Sequence, residues 1–285
     1  MKKTNKYVAN AKLNLQLRVT GLYSGGYHSL DMVNVLVSLH DDITIDIAPE
    51  RKNEIHLTSS RNFFTHPQKN LLYKAWNWYT QKTGIPVSVR VHLKKRIPIG
   101  AGMGGGSSDA ATLLRVFNDL FKAMSQQDLI KESAEIGSDV PYFLVGGLCR
   151  VTGKGDCIQP LSENKELSNF HVVVCFPRRG VATKKVYALY DEKQIPFSKE
   201  LSGNPVVLPP HNDLIVPACE VQPCISECLS FVKRTEPVYY SMSGSGSACF
   251  GLYACAKSSN HAVDFLQRKG YRVWPVETKQ KRNNL

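Results

Sequence analysis

Residues 98 to 108 read Pro98-Ile99-Gly100-Ala101-Gly102-Met103-Gly104-Gly105-Gly106-Ser107-Ser108, and Asp109-Ala110-Ala111 follow directly. Glycines without a Cβ let the backbone take positive φ and bring its N–H groups close to an anion. Ser107, Ser108 and Asp109 are residues favoured at helix starts, and Ala110, Ala111, Leu113 and Leu114 are good helix formers. A helix opening here would present free N–H groups and the positive pole of its dipole, a combination that attracts phosphate. The P-loop pattern fails, because Gly100 and Gly105 are followed by Gly106 where that pattern requires lysine. Gly100, Gly102 and Gly105 satisfy the dinucleotide pattern G-x-G-x-x-G, but no opening βαβ unit accompanies them.

Five further groups of residues stand out. In Ala11–Val19 apolar and polar residues alternate, placing Lys12 and Asn14 on one face of a strand, by itself the solvated face of an edge strand. The turn Thr20–Leu30 is glycine-rich and ends in Tyr27 and His28, an aromatic and an imidazole that fit a structural role as well as a ligand. Asp139, in Gly137-Ser138-Asp139-Val140-Pro141, is by itself placed to cap a short helical turn with Pro141 just inside it. Ser243-Gly244-Ser245-Gly246-Ser247 forms a small-residue loop between Val238–Tyr240 and Cys249–Tyr253. Lys94, Lys95 and Arg96, just before the glycine loop, are placed either to reach phosphate or to form a solvated run.

Taken together, these segments resemble the GHMP kinases, whose second motif is a proline, a glycine-rich stretch and Ser-Ser before a helix. Their order along nearly the whole chain carries the resemblance: Ala11-Lys12-Leu13-Asn14-Leu15, Gly26-Tyr27-His28, Pro98–Ala111, Gly137–Pro141 and Ser243–Ser247. It implies an α+β, two-domain GHMP kinase fold with the active site in the interdomain cleft, and ATP with Mg²⁺ as cofactors. Pro98 to Ser108 would cradle the nucleotide phosphates, Asp139 would act as the base and Lys12 as the electrostatic stabiliser, and no residue is assigned to the metal. The Gly-Tyr-His triplet points to the isoprenoid-pathway branch, whose small-molecule partner is a cytidine diphosphate-linked methylerythritol. In that branch Tyr27 would stack on the cytosine, His28 would hydrogen-bond its edge, Tyr187 would supply the second aromatic face where phenylalanine is usual, and Asn14 and Thr183 would contact substrate. Asn70–Ala75 is similar to a helix start on the nucleotide side, and Asn212-Asp213-Leu214 is a smaller match. Other members acting on mevalonate-type or homoserine-type alcohols share the phosphate loop and remain the alternative.

The supporting elements follow from periodicity. Val87, Val89, Val91 and Leu93 alternate with polar residues, a half-buried strand that feeds the glycine loop. Ser125 and Asp128 form a capping box opening a helix that Gly137 closes. Further strands are expected at Val172–Phe176, Cys249–Tyr253 and Tyr271–Val276, and a helix from Asn260 to Gly270. The Gly-rich turn at Gly147–Gly155 ends the first half, giving domains of 1–155 and 156–285.

Composition agrees with an enzyme. A chain of 285 residues with 42% hydrophobic content can bury a sizeable core in two domains. No apolar stretch approaches the roughly 20 residues that span a bilayer, and Met1–Lys6 leads into no signal-peptide core, so a cytoplasmic protein without a membrane partner is expected. Eight cysteines lack a CxxC pair, and free buried thiols fit them best; the loose spacing of Cys219, Cys224 and Cys228 lacks the second half of a zinc site. The net charge of +12 admits a basic RNA-binding protein as the different-class alternative. That charge is concentrated only at Lys94–Arg96 and at the termini (Lys2, Lys3, Lys6; Lys279, Lys281, Arg282) and no nucleic-acid motif accompanies it, so phosphorylated substrates are the preferred explanation.

Overall fold

A computed structural model describes residues 5–48, 52–60, 67–203, 205 and 207–281; the terminal residues Lys2, Lys3 and Arg282 lie outside them. Two long strands, β1 (Asn5–Leu22) and β2 (His28–Ile47), contribute to both of the compact units into which the chain divides. The first unit comprises residues 1–11, 40–97 and 104–145, and the second 12–39, 98–103 and 146–285.

In the first unit, β3 (Glu54–Ser59), α1 (Leu71–Thr83), β4 (Ser88–Lys94), α2 (Gly105–Phe121), α3 (Gln126–Glu132) and α4 (Val140–Val145) follow in order. β4 lies parallel to β3 and antiparallel to the end of β2, with Ile43 opposite Leu93 and Ile45 opposite Val91. The expected alternation holds: Val89, Val91 and Leu93 are buried while Arg90, His92 and Lys94 are exposed. α2 packs against α1 and α4, and Tyr79 meets Phe117 with ring centroids 5.4 Å apart. Asn70 caps α1 by accepting from Leu72 N at 2.8 Å. Ser125 caps α3 through Asp128 N at 3.1 Å, but α3 stops at Glu132 and tightens into a 3₁₀ turn over Ser133–Glu135 before Gly137.

The second unit continues with β5 (Leu148–Gly153), β6 (Cys157–Pro160), α5 (Lys165–Ser168), β7 (His171–Phe176), α6 (Thr183–Glu192), β8 (His211–Asn212), α7 (Ile215–Val221), α8 (Cys224–Lys233), β9 (Tyr239–Met242), β10 (Cys249–Tyr253), α9 (Ala256–Arg268), β11 (Arg272–Val276) and β12 (Thr278–Lys279). β5 and β12 pair antiparallel with β2, and β8 runs parallel to β1. β7, β9, β10 and β11 form a second sheet in the order β11-β7-β10-β9, against which α8 and α9 pack. α9 begins at Ala256 rather than Asn260: Cys255 is extended, and the Ser258 hydroxyl donates back to its carbonyl at 2.9 Å, so the polar Lys-Ser-Ser run forms the first turn. Cys149, Cys175, Cys228 and Cys249 are buried free thiols, whereas Cys157 and Cys255 are exposed.

β1 departs from the half-buried strand expected of it. Every residue from Ala9 to Leu17 is buried, including Lys12, Asn14 and Gln16, and β8 covers the edge of β1 at Gln16 and Leu17. The solvated-edge reading of Lys12 is thereby excluded. Gly102, at φ +72°, fixes the approach of two loops within the second unit, since a Cβ there would run into the Ser243 carbonyl. Gly102→Ala is expected to lower the unfolding free energy by about 2 kcal/mol or more in a urea titration, combining φ strain with a backbone clash.

Candidate active site

In the first unit, α2 starts at Gly105, and its N-cap is Gly104 in the left-handed region at φ +69° with no side-chain cap. Ser107, Ser108 and Asp109 are therefore not caps: they lie within the first turns of α2, with Ser108 and Asp109 buried. The left-handed entry selects glycine, and capping falls to whatever binds the first turn. Ser108 N donates to Gly104 O at 2.9 Å; among the described residues, the N–H groups of Gly104 to Ser107 find no protein acceptor. Asp139 stands beside this entry, its Oδ2 3.5 Å from where a Cβ on Gly104 would sit, and the Phe143 ring fills the same space. Asp139 immediately precedes α4, half-buried, and its carbonyl accepts from Phe143 N at 3.3 Å.

Beneath the same turn lies an ion cluster. The Lys95 ammonium donates to Asp41 at 2.6 Å and to Asp109 at 2.7 Å, with the carboxylates 0% and 4% exposed. Asp41 also accepts from the backbone N–H groups of Arg96 (2.5 Å) and Ile97 (2.9 Å), so one carboxylate sets the direction in which β4 leaves for the loop. Burial opposes the Lys95 charge, but Asp109 and Asp41 outweigh it and raise its pKa. Asp109 is pushed up to about 7: loss of water dominates, Lys95 opposes it and Asp41 adds to it. One Asp109 oxygen, Oδ1, has no hydrogen-bond partner among the described residues. Of the basic run before the loop, Lys95 is thus a buried strut and Arg96 pairs with Asp42 at 2.5 Å on the surface.

In the second unit, Pro98 and the side chains of Ala101 and Met103 are buried while Ile99 is exposed. All four carbonyls from Gly100 to Met103 are engaged: Gly100 by Val181 N (3.1 Å) and Ser247 N (3.3 Å), Ala101 by Ala248 N (3.0 Å), Gly102 by the Ser243 hydroxyl (3.0 Å) and Met103 by Lys12 N (3.1 Å). Among the described residues, the N–H groups of Gly100 to Met103 have no protein acceptor. Carbonyl oxygens drawn away and N–H groups left over give the loop the chemistry to accept an anion. The Ser243–Ser247 segment is itself held by Asn212, whose amide donates to Met242 O (2.8 Å) and Gly244 O (2.9 Å). Lys12, 4% exposed, donates to the Asn14 side chain, which in turn donates to Asn34 at 2.6 Å. Asn14 therefore orients Lys12 from the same strand.

A third cluster, also in the second unit, surrounds the turn between β1 and β2. Tyr27 is 63% exposed, and the Lys154 ammonium sits 4.9 Å over its ring and 5.3 Å over that of Tyr23. His28 points the other way, its side chain 8% exposed, stacked at 4.6 Å on Tyr187 with its Nε2 2.7 Å from Asp191. Thr183, Tyr187 and Asp191 occupy successive turns of α6, and Thr183 Oγ1 is 2.8 Å from Ser245 Oγ, which joins this cluster to the phosphate-loop neighbours. Asp41, Asn34, Lys154 and Asp191 were absent from the sequence reading. The fourfold spacing Thr183, Tyr187, Asp191 is the signal that would have found the last of them.

The second unit thus carries an exposed aromatic, a half-buried His–Tyr pair and a buried lysine, and the first a carboxylate beside the glycine entry to α2. Residues 70–147 match the model of the GHMP kinases N terminal domain. The chain is 38% identical over 180 residues, 63% of each protein, to 4-diphosphocytidyl-2-C-methyl-D-erythritol kinase of Thermotoga maritima. It is 34% identical over 271 residues to the Chlorobium phaeobacteroides enzyme of the same name, covering 91% of this chain and 92% of that one. The crystal structure of a 4-(cytidine 5'-diphospho)-2C-methyl-D-erythritol kinase superposes with a TM-score of 0.80 at 31% identity, covering 98% of this chain and 100% of the other. The fold is that of the GHMP kinases, and within them the chain belongs to the 4-diphosphocytidyl-2-C-methyl-D-erythritol kinase family.

The raised Asp109 pKa has a signed consequence. Its stabilising contribution is full below about pH 4, where the unfolded chain is also protonated, and is lost as pH rises through about 7. Asp109→Asn removes this dependence. The melting temperature of the variant relative to the parent should therefore rise between pH 4 and 7 and level off above; a difference constant with pH would contradict it.

Proposed function

We propose that the protein transfers the γ-phosphoryl group of ATP to the tertiary 2-hydroxyl of 4-diphosphocytidyl-2-C-methyl-D-erythritol, in the non-mevalonate route to isopentenyl diphosphate. The observation that carries the reading is the glycine entry to α2 in the first unit, where the N–H groups of Gly104 to Ser107 have no protein acceptor among the described residues and fit a phosphate group. The family relationship supplies the alcohol, and the exposed Tyr27 and the His28–Tyr187 stack give a planar base its aromatic surfaces.

Asp139, beside the phosphate-binding turn, takes the hydroxyl proton as the oxygen attacks. Lys12, held by Asn14, neutralises charge on the transferring group. Mg²⁺ would supply further neutralisation if it entered with the nucleotide; it commonly binds through nucleotide phosphates with one or two carboxylates, and among the described residues no group of three or more His, Cys, Asp or Glu offers a larger cage. Catalysis then rests on placement and electrostatics more than on covalent chemistry.

Asp139→Asn and Lys12→Met should each keep the circular dichroism spectrum of the parent and lower kcat by about 100-fold or more in a coupled ADP assay. Near-normal turnover in either would remove that residue from the mechanism. Tyr27→Ala, at an exposed position, should raise KM for the cytidyl substrate roughly tenfold with KM for ATP unchanged. An equal effect on both would count against the cytosine role.

A further inference from the structure

The contact between His28 and Asp191 has a consequence for base selection. At neutral pH an aspartate carboxylate only accepts hydrogen bonds, so at 2.7 Å the His28 Nε2 must carry the proton and donate it. In the neutral imidazole this leaves Nδ1 as a lone-pair acceptor, and among the described residues Nδ1 has no hydrogen-bond partner. The ring cannot readily turn over to exchange its nitrogens: its side chain is 8% exposed, its face rests 4.6 Å from Tyr187 and Tyr190 meets it edge-on at 5.8 Å. α6 thus supplies both the stacking ring and, one turn on, the carboxylate.

A fixed acceptor distinguishes the two common pyrimidines. Cytosine presents an amino donor at its fourth position, where uracil presents a carbonyl acceptor. We propose that Asp191 is a positioning residue that locks the Nδ1-acceptor tautomer of His28 and thereby makes the site select a cytidine-linked over a uridine-linked diphosphate substrate. The inference rests on the reading of Tyr27 and His28 as the base-binding pair. Asp191 touches no substrate; it acts through His28. Its side chain is 50% exposed, so its removal leaves the core untouched.

The test compares kcat/KM for the cytidine- and uridine-linked methylerythritol diphosphates in the parent, Asp191→Ala and Asp191→Glu. The parent should prefer the cytidine compound. Asp191→Ala should lose about tenfold of that preference, the worth of one hydrogen bond, with kcat at saturation and KM for ATP unchanged, and Asp191→Glu should recover part of it. ¹⁵N NMR of histidine-labelled protein, assigned with His28→Gln, should show His28 protonated at Nε2 and bare at Nδ1. An unchanged preference in Asp191→Ala, an equal loss on both substrates, or the opposite tautomer would overturn the proposal. If Tyr27→Ala binds the cytidine compound as the parent does, it is the base-binding reading itself that fails.

Discussion

Four consecutive carbonyl oxygens, Gly100 to Met103, are each claimed by a donor from the second unit, and the loop's capacity to hold an anion depends on that engagement. Left to itself a glycine-rich segment presents donors and acceptors alike, and its carbonyls would repel phosphate. Here the partners on residues 181, 243, 247 and 248, with Lys12 N, hold the acceptors inward, so only N–H groups are left to meet a ligand. The Ser-Gly loop at 243–247 therefore braces the backbone of the glycine loop, and Asn212, which pins the Ser-Gly loop, stands one step further back.

The other end of the glycine loop is organised by charge. Asp41 gathers Lys95 and two backbone N–H groups at the point where β4 gives way to the loop, and Lys95 ties the same carboxylate to α2 through Asp109. Two carboxylates around one ammonium leave a surplus of negative charge in a buried place, and the elevated Asp109 pKa relieves it. Such an arrangement is a poor source of stability compared with an apolar core. Its effect is directional: it fixes where the strand ends and where the helix begins.

Much of this was legible in the sequence because the informative residues are local. The strand β4, the glycine loop and α2 follow from alternation, lost Cβ atoms and helix propensity within one short stretch, and the caps at Asn70 and Ser125 follow from side chains near their own targets. The helix start at Gly104 was misread because serine capping normally outranks glycine, and only the left-handed φ of Gly104 reverses the order. The burial of β1 was missed because alternation reports polarity, whereas Lys12, Asn14 and Gln16 are buried polar residues in an interior strand. Asp41 and Asn34 escaped notice since their partners lie 54 and 20 positions away, separations no local pattern encodes, whereas Asp191, 163 positions from His28, is marked only by its four-residue spacing from Tyr187 on α6.

Phosphoryl transfer from ATP to the tertiary alcohol of a cytidyl-linked substrate is read most directly by ³¹P NMR of the reaction mixture. With ATP, Mg²⁺ and 4-diphosphocytidyl-2-C-methyl-D-erythritol, a new phosphomonoester resonance should grow in step with ADP while the substrate's own diphosphate signals persist, and mevalonate or homoserine in its place should give none at comparable rate. ADP released with inorganic phosphate alone, or a phosphomonoester formed faster on mevalonate or homoserine, would contradict the account.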